Sequence, residues 1–494
     1  MDGPMDRRLA AIEGIDRGRL TVRLVQALSA LSQFRTIYEA NALRSGVIDN
    51  LAILLLVGSL LLFTFVVYLR RAHPEPHMDW EDLDLTSIAI PDEFHWGVAT
   101  AAHQIEGGLR NNWTAFESSN EMEQSGQACD HWNQWKQDFQ LISDLGLSTY
   151  RFSIEWSRLE PEQGVWEEEP LQEYSRMVDD LLSKGIRPMI TLHHFSHPDW
   201  WEEKGGFSKA ENIPEFVNYC EKVHKALSDR VSMWCTINEP VVFSSMGYAL
   251  GQFPPGKRSI RLCISVMKNM MRAHARVYNL LKSKNPESSI GMAKNVTLFD
   301  PTNRWSPIDW AASRLLDWIW NGAWKRAILK GRMFGSRIEG ARSSLDFIGL
   351  NYYTHFITGL FVPTATKDLD FQKREHEIET DFGYPMYAEG FRRAIEYASG
   401  FDVPIEVTEN GVADASDSLR PEHLMRHIWI LSEAIKDGHD VKSFHYWSLM
   451  DNFEWAEGYS MRFGLYEVDY ENQTRSLRQS GEIYRDLIKS QLKR

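Results

Sequence analysis

From about residue 88 onward, short apolar runs alternate with segments in which apolar residues recur every three to four positions. Such runs are typical of buried strands, and such segments of amphipathic helices. The runs lie at Phe94–Thr100, Thr149–Trp156, Arg187–Phe195, Ser232–Glu239, Ile290–Leu298, Leu345–Tyr353, Pro404–Glu409 and Val441–Leu449. The helical segments between them lie at His131–Leu145, Leu171–Lys184, Ile213–Leu227, Val266–Lys282, Ala388–Ala398 and Glu422–Lys436. This order predicts an α/β fold, a (β/α)8 TIM barrel.

A doubly wound open sheet is the structural alternative, because it has the same alternation of strands and helices. Nucleotide-binding folds of that kind carry Gly-x-Gly-x-x-Gly after the first strand. Here Ala-Ala-His-Gln-Ile follows Thr100. The sequence therefore favours the closed barrel and predicts no nucleotide cofactor.

A different pattern precedes the barrel. Leu51–Leu69 is a run of nineteen uncharged, mostly apolar residues, and Arg70 and Arg71 follow it. A helix of about 20 apolar residues can cross a bilayer, so the run predicts a single N-terminal transmembrane helix. A buried core helix and a cleaved signal peptide are the alternatives, although about 45 residues of charged leader are unusually long for a signal peptide.

These patterns divide the chain into four parts: an arginine-rich leader at 1–46, a membrane anchor at 47–71, a polar linker at 72–88 and the barrel domain at 89–494. The leader carries an imperfect apolar stripe that fits either an interfacial helix or a solvated segment. Near the anchor, Arg35 and Arg44 precede it and Arg70 and Arg71 follow it, so the charges predict no orientation. We expect a single-pass membrane protein. The sequence does not predict on which side of the membrane the catalytic domain lies.

The composition and charge of the chain narrow the classes of molecule that it can bind. The formal charge of −14 argues against nucleic acid, because phosphate binding needs a basic face. The four cysteines have no metal-like spacing and no disulfide framework, so we expect buried thiols. Many of the 18 tryptophans must pack in the core, but sugar sites also use indole faces against the C–H face of a pyranose.

Two strings suggest the chemistry. Thr236-Ile-Asn-Glu-Pro240 and Val407-Thr-Glu-Asn-Gly411 each place a glutamate beside an asparagine at the end of a strand-like run. Cleavage of a sugar acetal needs two carboxylates, one to protonate the leaving oxygen and one to attack or stabilise the anomeric carbon. We predict that Glu239 and Glu409 form this pair.

Further polar and aromatic residues lie at the ends of seven of the eight runs, where the active site of a barrel forms. They are Gln104, Arg151, Glu155, His193, His194, Asn238, Glu239, Asn351, Tyr353, Glu409, Trp447, Glu454 and Trp455. One such residue is unremarkable, but convergence from seven strands predicts a site.

The chain resembles glycoside hydrolase family 1, the β-glucosidase family of retaining glycosidases, from about Phe94 to Tyr484. The matching strings, in the family's order, are FHWGVATAAHQIEG (94–107), YRFSIEWSR (150–158), TLHHF (191–195), TINEP (236–240), DFIGLNYY (346–353), VTENG (407–411) and WSLMDNFEW (447–455). The resemblance implies Glu239 as the acid/base and Glu409 as the nucleophile. Supporting groups would be Arg151, Asn238, Tyr353 and Asn351, and the sugar-binding residues Gln104, His194, Trp447, Glu454, Trp455 and Phe463.

The resemblance implies no cofactor and no metal. His193 and His194 look like a metal pair, but neighbouring strand residues point to opposite faces. The family usually has tryptophan where this chain has Phe195, and leucine where it has His197. These departures affect the wall that faces the leaving group.

We therefore expect a membrane-anchored β-glycosidase that hydrolyses terminal β-linked sugars of small or lipid-linked glycosides through a covalent glycosyl-enzyme. The chain also resembles plant envelope galactolipid galactosyltransferases, which share a compact barrel and an N-terminal anchor, so transfer to a glycolipid is the alternative. A non-catalytic sugar-binding module is a third possibility. The sequence predicts neither the preferred sugar nor the aglycone nor the oligomeric state.

Overall fold

The computed structural model describes residue 29 and residues 46–81, 83, 84, 87–359 and 371–491. Almost all of the predicted leader lies outside the described residues. The chain divides into two compact units, residues 1–73 and residues 74–494.

Eight parallel strands close into a barrel in the order β1-β8-β7-β6-β5-β4-β3-β2. They are β1 His95–Ala99, β2 Thr149–Ser153, β3 Arg187–Thr191, β4 Met233–Asn238, β5 Ser289–Asn295, β6 Phe347–Asn351, β7 Ile405–Asn410 and β8 Val441–Trp447. Every predicted run overlaps one barrel strand, although β5 begins one residue before its run and β7 ends one residue after its run. The predicted barrel is therefore confirmed, and the open sheet is excluded because β1 pairs with both β2 and β8.

One long helix follows each barrel strand and packs outside the sheet. In chain order these helices are His131–Asp144, Glu168–Ser183, Ile213–Leu227, Ile260–Lys284, Ala323–Lys330, Glu389–Ser399, Arg420–Lys436 and Gln479–Gln491. The prediction missed those after β5 and β8. Further α-helices lie in the connections at Ala102–Ile105, Asn112–Ser119, Trp156–Leu159, Asp199–Glu203, Pro240–Ser244 and Pro307–Asp317, of which the last is longer than Ala323–Lys330.

The remaining elements decorate the barrel. Leu298–Pro301 pairs in parallel with His355–Thr358, and three antiparallel pairs join Arg332–Met333 to Ser336–Arg337, Ile378–Glu379 to Pro385–Met386, and Tyr466–Asp469 to Thr474–Leu477. Short 3-10 helices lie at Gly206–Ser208, Ala210–Asn212 and Trp455–Glu457, and short π-helices lie at Ser245–Leu250 and Trp318–Gly322.

Several predicted strands were too long at their C-terminal ends. The run that predicted β3 continued to Phe195, whereas the strand ends at Thr191. His193, His194 and Phe195 are all buried although they are not in the ladder, and Phe195 has a φ of 68°. An apolar run reports burial, and at this end of the barrel burial continues past the last strand residue.

The N-terminal unit contains one described helix, Gly46–Ala72, which has Arg70 and Arg71 in its last turn. Its segment Asn50–Ala72 is long and apolar enough to cross a membrane by length and composition.

Within the predicted linker, residues 75–80 are bonded to the barrel unit. Arg374 Nε and Arg304 Nη1 donate to Glu75 at 2.6 and 2.8 Å. The backbone N–H of Met78 and the indole of Trp80 both donate to Glu389 Oε1, at 2.8 and 3.0 Å. This segment is therefore held against the barrel by charge-assisted hydrogen bonds.

The four cysteines are buried and unpaired, in agreement with the prediction.

Candidate active site

The two glutamates lie at the C-terminal ends of β4 and β7 and are almost fully buried. Glu239 follows β4 with a φ of 42°, a left-handed conformation that costs a non-glycine residue about 1–3 kcal/mol. Its own N–H donates to the carbonyl of Ala293 on β5 at 2.9 Å, and Pro240 begins the next helix. The strand end thus fixes the carboxylate at the barrel mouth.

Glu409 is held by two strong donors. Arg151 Nη1 on β2 donates to Glu409 Oε1 at 2.6 Å, and the hydroxyl of Tyr353 donates to Oε2 at 2.7 Å. Burial raises the pKa of Glu409, and the Arg151 guanidinium and the Tyr353 hydrogen bond oppose that rise. The geometry favours an ionised carboxylate with both oxygens fixed in direction.

The donors to Glu239 among the described residues are amides. Asn351 Nδ2 and Asn295 Nδ2 donate to the same oxygen, Glu239 Oε1, at 2.7 and 3.1 Å. Burial and the nearby charge of Glu409 raise the pKa of Glu239 to about 7. This carboxyl therefore keeps a proton to near-neutral pH, as an acid catalyst requires.

A chain of hydrogen bonds joins the two glutamates. Arg151 Nη2 donates to Asn238 Oδ1 at 2.7 Å, and Asn351 Nδ2 lies 3.2 Å from the same oxygen. Asn351 also forms a hydrogen bond that lowers the pKa of Glu409. Glu239 and Glu409 therefore share one small polar network, although 169 residues separate them in the sequence.

The predicted sugar-binding residues form an adjoining wall. Gln104 Nε2 donates to Glu454 Oε2 at 3.0 Å, while Gln104 Oε1 is buried and has no hydrogen-bond partner among the described residues. Burial raises the pKa of Glu454 to about 8, although the Gln104 hydrogen bond opposes that rise and the charge of Glu409 adds to it. An unsatisfied buried oxygen beside a carboxyl is a suitable place for ligand hydroxyls.

Aromatic rings close the other side of this wall. The His194 ring is stacked with the rings of Trp447 and Trp455, with centroid distances of 5.7 and 5.9 Å. Phe463 is buried and meets the ring of Tyr353 edge-on at 6.2 Å. Together with Gln104 and Glu454, these four rings place all six predicted sugar-binding residues in the region around Glu409.

Gly411 explains one detail of the second glutamate string. A Cβ atom at this position would lie 1.9 Å from the carbonyl oxygen of Trp447. Only glycine lets β7 leave the barrel beside the end of β8, and this close approach keeps Glu409 and Trp447 in neighbouring positions.

Sequence reasoning missed Asn295, the residue that β5 contributes. Its Oδ1 accepts from Thr297 Oγ1 at 2.6 Å and from the Trp320 indole at 3.3 Å, so its Nδ2 must face Glu239. The available signal was its place at the end of β5, since β5 was the one run to which no site residue had been assigned.

The two adjacent histidines face different ways. His194 Nε2 lies 3.0 Å from Asn238 Nδ2 and 3.9 Å from Glu409 Oε1. His193 Nε2 instead lies 3.2 Å from His197 Nδ1, away from the glutamates. The departure at His197 thus supports a buried histidine behind the pocket wall.

One group among the described residues has the proximity of metal ligands: Glu75, Asp300 and His355. Arg393 donates to both oxygens of Asp300 at 2.8 and 2.9 Å, and Arg374 holds Glu75. Burial opposes protonation of His355, but its hydrogen bonds to Asp300 and Glu377 raise its pKa to about 9. A protonated imidazole among arginines forms an ion-pair network and does not bind a cation.

Comparison with known proteins agrees with this geometry. A sequence profile of Glycosyl hydrolase family 1 matches residues 86–492. Beta-glucosidase A of Thermotoga maritima is 33% identical over 439 residues, covering 81% of this chain and 98% of the relative. Raucaffricine-O-beta-D-glucosidase of Rauvolfia serpentina is 32% identical, covering 78% of this chain and 89% of the relative.

Solved structures are similarly close. A beta-glycosidase from Pyrococcus horikoshii superposes with a TM-score of 0.76 at 38% identity, over 82% of this chain and 96% of its own. A beta-glucosidase from Thermotoga maritima in complex with castanospermine gives a TM-score of 0.76 at 32% identity, over 82% and 99%.

Proposed function

The chain belongs to glycosyl hydrolase family 1 and is a retaining glycosidase, and from that premise we propose that it hydrolyses terminal β-linked sugars with Glu409 as nucleophile and Glu239 as acid/base. The observation that supports these roles is the difference between the two carboxyls. Glu409 accepts from a guanidinium and a phenol, whereas Glu239 accepts from the amides of Asn351 and Asn295.

In the first step Glu409 attacks the anomeric carbon, and the bond from that carbon to the leaving oxygen breaks. Glu239 gives its proton to the leaving oxygen, and a covalent glycosyl ester forms on Glu409. The ester carries no charge, so the pKa of Glu239 falls once Glu409 is esterified.

In the second step Glu239, now ionised, takes a proton from water. The water oxygen attacks the anomeric carbon, the ester bond breaks, and Glu409 regains its charge. Two displacements at the same carbon retain the β configuration. Each step uses one glutamate in the protonation state that its contacts favour.

The wall of Gln104, Glu454, His194, Trp447, Trp455 and Phe463 is proposed to bind the terminal sugar. Gln104 and Glu454 offer oxygen acceptors to adjacent hydroxyls, and the indoles offer flat apolar faces. Asn238, which accepts from Arg151, is proposed to bind the hydroxyl next to the anomeric carbon.

Trapping of the intermediate tests the assignment. A 2-deoxy-2-fluoro aryl β-glycoside should label the full chain once, on the peptide that contains Glu409. Glu409→Gln should abolish labelling and turnover. Glu406→Gln, on the same strand but bonded to Ser443, should retain both. Labelling that persists in Glu409→Gln would refute the role of Glu409.

We also propose that Asn50–Ala72 anchors the enzyme in a membrane as a single span. The barrel domain is assigned to neither side of the membrane. The full chain should stay with the membrane fraction in alkaline carbonate and leave it only in detergent. Release by carbonate would contradict the anchor.

Transfer to a glycolipid is the competing outcome for the same covalent intermediate. Product analysis with a β-galactolipid separates the two reactions, since hydrolysis releases free sugar and transfer yields a lipid with an additional sugar.

A further inference from the structure

The outer surface after β5 carries apolar side chains where a helix normally carries polar ones. Every exposed position of helix Pro307–Asp317 is apolar, and the next exposed residue is Trp318. Leu315 is 57%, Ile308 50% and Trp318 43% exposed. With Ala311 these residues repeat every three or four positions, so they form one face, here called the apolar ridge.

Basic side chains adjoin this ridge. Residues 323–342, here called the basic segment, contain six lysines and arginines and one glutamate, although the whole chain has a charge of −14. Arg326, Lys330, Arg332, Arg337 and Arg342 are all exposed, and none has an ion-pair partner among the described residues. The ring of Trp318 meets Phe334 edge-on at 5.6 Å, so the two features are continuous.

A residue that closely follows the apolar helix in the chain is bonded beside this surface. Arg304, close to the start of the ridge, donates to Glu75 at 2.8 Å. Only His73 and Pro74 separate Glu75 from Ala72, the last residue of that helix.

We propose that the apolar ridge and the basic segment form a docking surface for a lipid bilayer with anionic headgroups. An interfacial helix buries its apolar side chains about 5–10 Å deep, and basic residues beside it are attracted to anionic lipid. The ridge then lies parallel to the bilayer and fixes the orientation of the barrel. This inference rests on the proposed anchor, which brings the surface to the membrane.

A site-specific fluorescent label tests the docking in the full chain. The native cysteines are buried, so Leu315→Cys offers one accessible thiol for a bimane label in nanodiscs that contain phosphatidylglycerol. Leu182→Cys, an exposed leucine on the helix after β2, is the matched control. Spin-labelled lipid with a shallow doxyl group should quench the label at 315 and leave the label at 182 unchanged.

Charge reversal supplies a second readout. Arg326→Glu with Lys330→Glu should weaken the docked state about fivefold for each charge removed, measured as lost lipid quenching at 315. Lys209→Glu with Lys225→Glu, away from the ridge, should leave the quenching unchanged. Replacing phosphatidylglycerol with phosphatidylcholine should act like the first pair.

Equal lipid quenching at 315 and 182 would overturn the proposal. So would a label at 315 that is shielded from aqueous iodide but not quenched by lipid, because a second copy or another part of the chain would then cover the ridge. Failure of the anchor would show separately, as release of the whole chain by carbonate. A chain that stays in the bilayer without quenching at 315 would contradict the docking alone.

Discussion

The surroundings of Glu409 and Glu239 differ although both residues are buried at strand ends of one barrel. Glu409 accepts from a guanidinium and from a phenol, one donor on each oxygen. Glu239 accepts from two amides on a single oxygen and faces the charge of Glu409. Burial raises the pKa of both. The Arg151 guanidinium bonded to Glu409 opposes that rise directly, whereas the cation near Glu239 is Lys294, whose own pKa burial lowers to about 7.

This contrast shows that partners, more than residue type, determine the role of a buried carboxyl. The two titrations are coupled, since the charge on Glu409 favours a proton on Glu239. Changes near Glu409 should therefore move the acid limb of the pH–rate profile, and changes near Glu239 should move the alkaline limb.

Among the changes that should alter the pH–rate profile, replacing the acid group of Glu239 should have the largest effect on the rate. Glu239→Gln should lower kcat/KM by about 10²–10⁴ for aryl glycosides with poor leaving groups and much less for dinitrophenyl glycosides. The wild-type rate should fall as pH rises through about 7, because Glu239 loses its proton there, and the variant should lack this limb. Glu155→Gln is the control, because the Glu155 carboxylate, although it lies at the end of the predicted β2 run, is bonded to Ser157 and Ser196 and is proposed to be structural.

Removal of the cation beside Glu409 should have the next largest effect. Arg151→Met should lower kcat by about 10²–10³, because a preorganised charge in a buried site is lost. The pKa of Glu409 should rise, so the acid limb should move to higher pH. Arg187→Met, which removes an arginine beside Glu406, should leave that limb in place. An unchanged acid limb in Arg151→Met would mean that Arg151 does not tune Glu409.

A smaller effect is expected at Asn295. Asn295→Ala removes one hydrogen bond that lowers the pKa of Glu239, so the alkaline limb should move upward by less than one unit. The rate at neutral pH should change by about tenfold or less, as expected for one hydrogen bond. Asn279→Ala, an amide bonded to Ala275 in the helix before β5, is the control. A pH profile identical to wild type would make Asn295 merely structural.

The sequence was sufficient to predict the barrel and the position of both glutamates near strand ends, because these depend on local patterns. Each strand is a short buried run, Glu239 directly follows β4, and Glu409 is the second-last residue of β7. Asn295 was missed because its role depends on its amide orientation, which Thr297 and Trp320 fix after folding. The bonding of residues 75–80 to the barrel was missed for a related reason, since Glu75 meets Arg374 only through tertiary structure.

The smallest effect should appear in stability. The pKa of Glu454 is about 8 in the folded protein, above the ordinary value of 4.5. The folded state therefore binds the proton more tightly, and stability from this group is present at low pH and lost as pH rises from about 4.5 through about 8. Glu454→Gln should remove that loss and raise the Tm at pH 8 by about 2–4 °C relative to wild type, with little change at pH 4. Differential scanning calorimetry at both pH values measures this, and an equal shift at pH 4 and pH 8 would show that burial of the charge is not its cause.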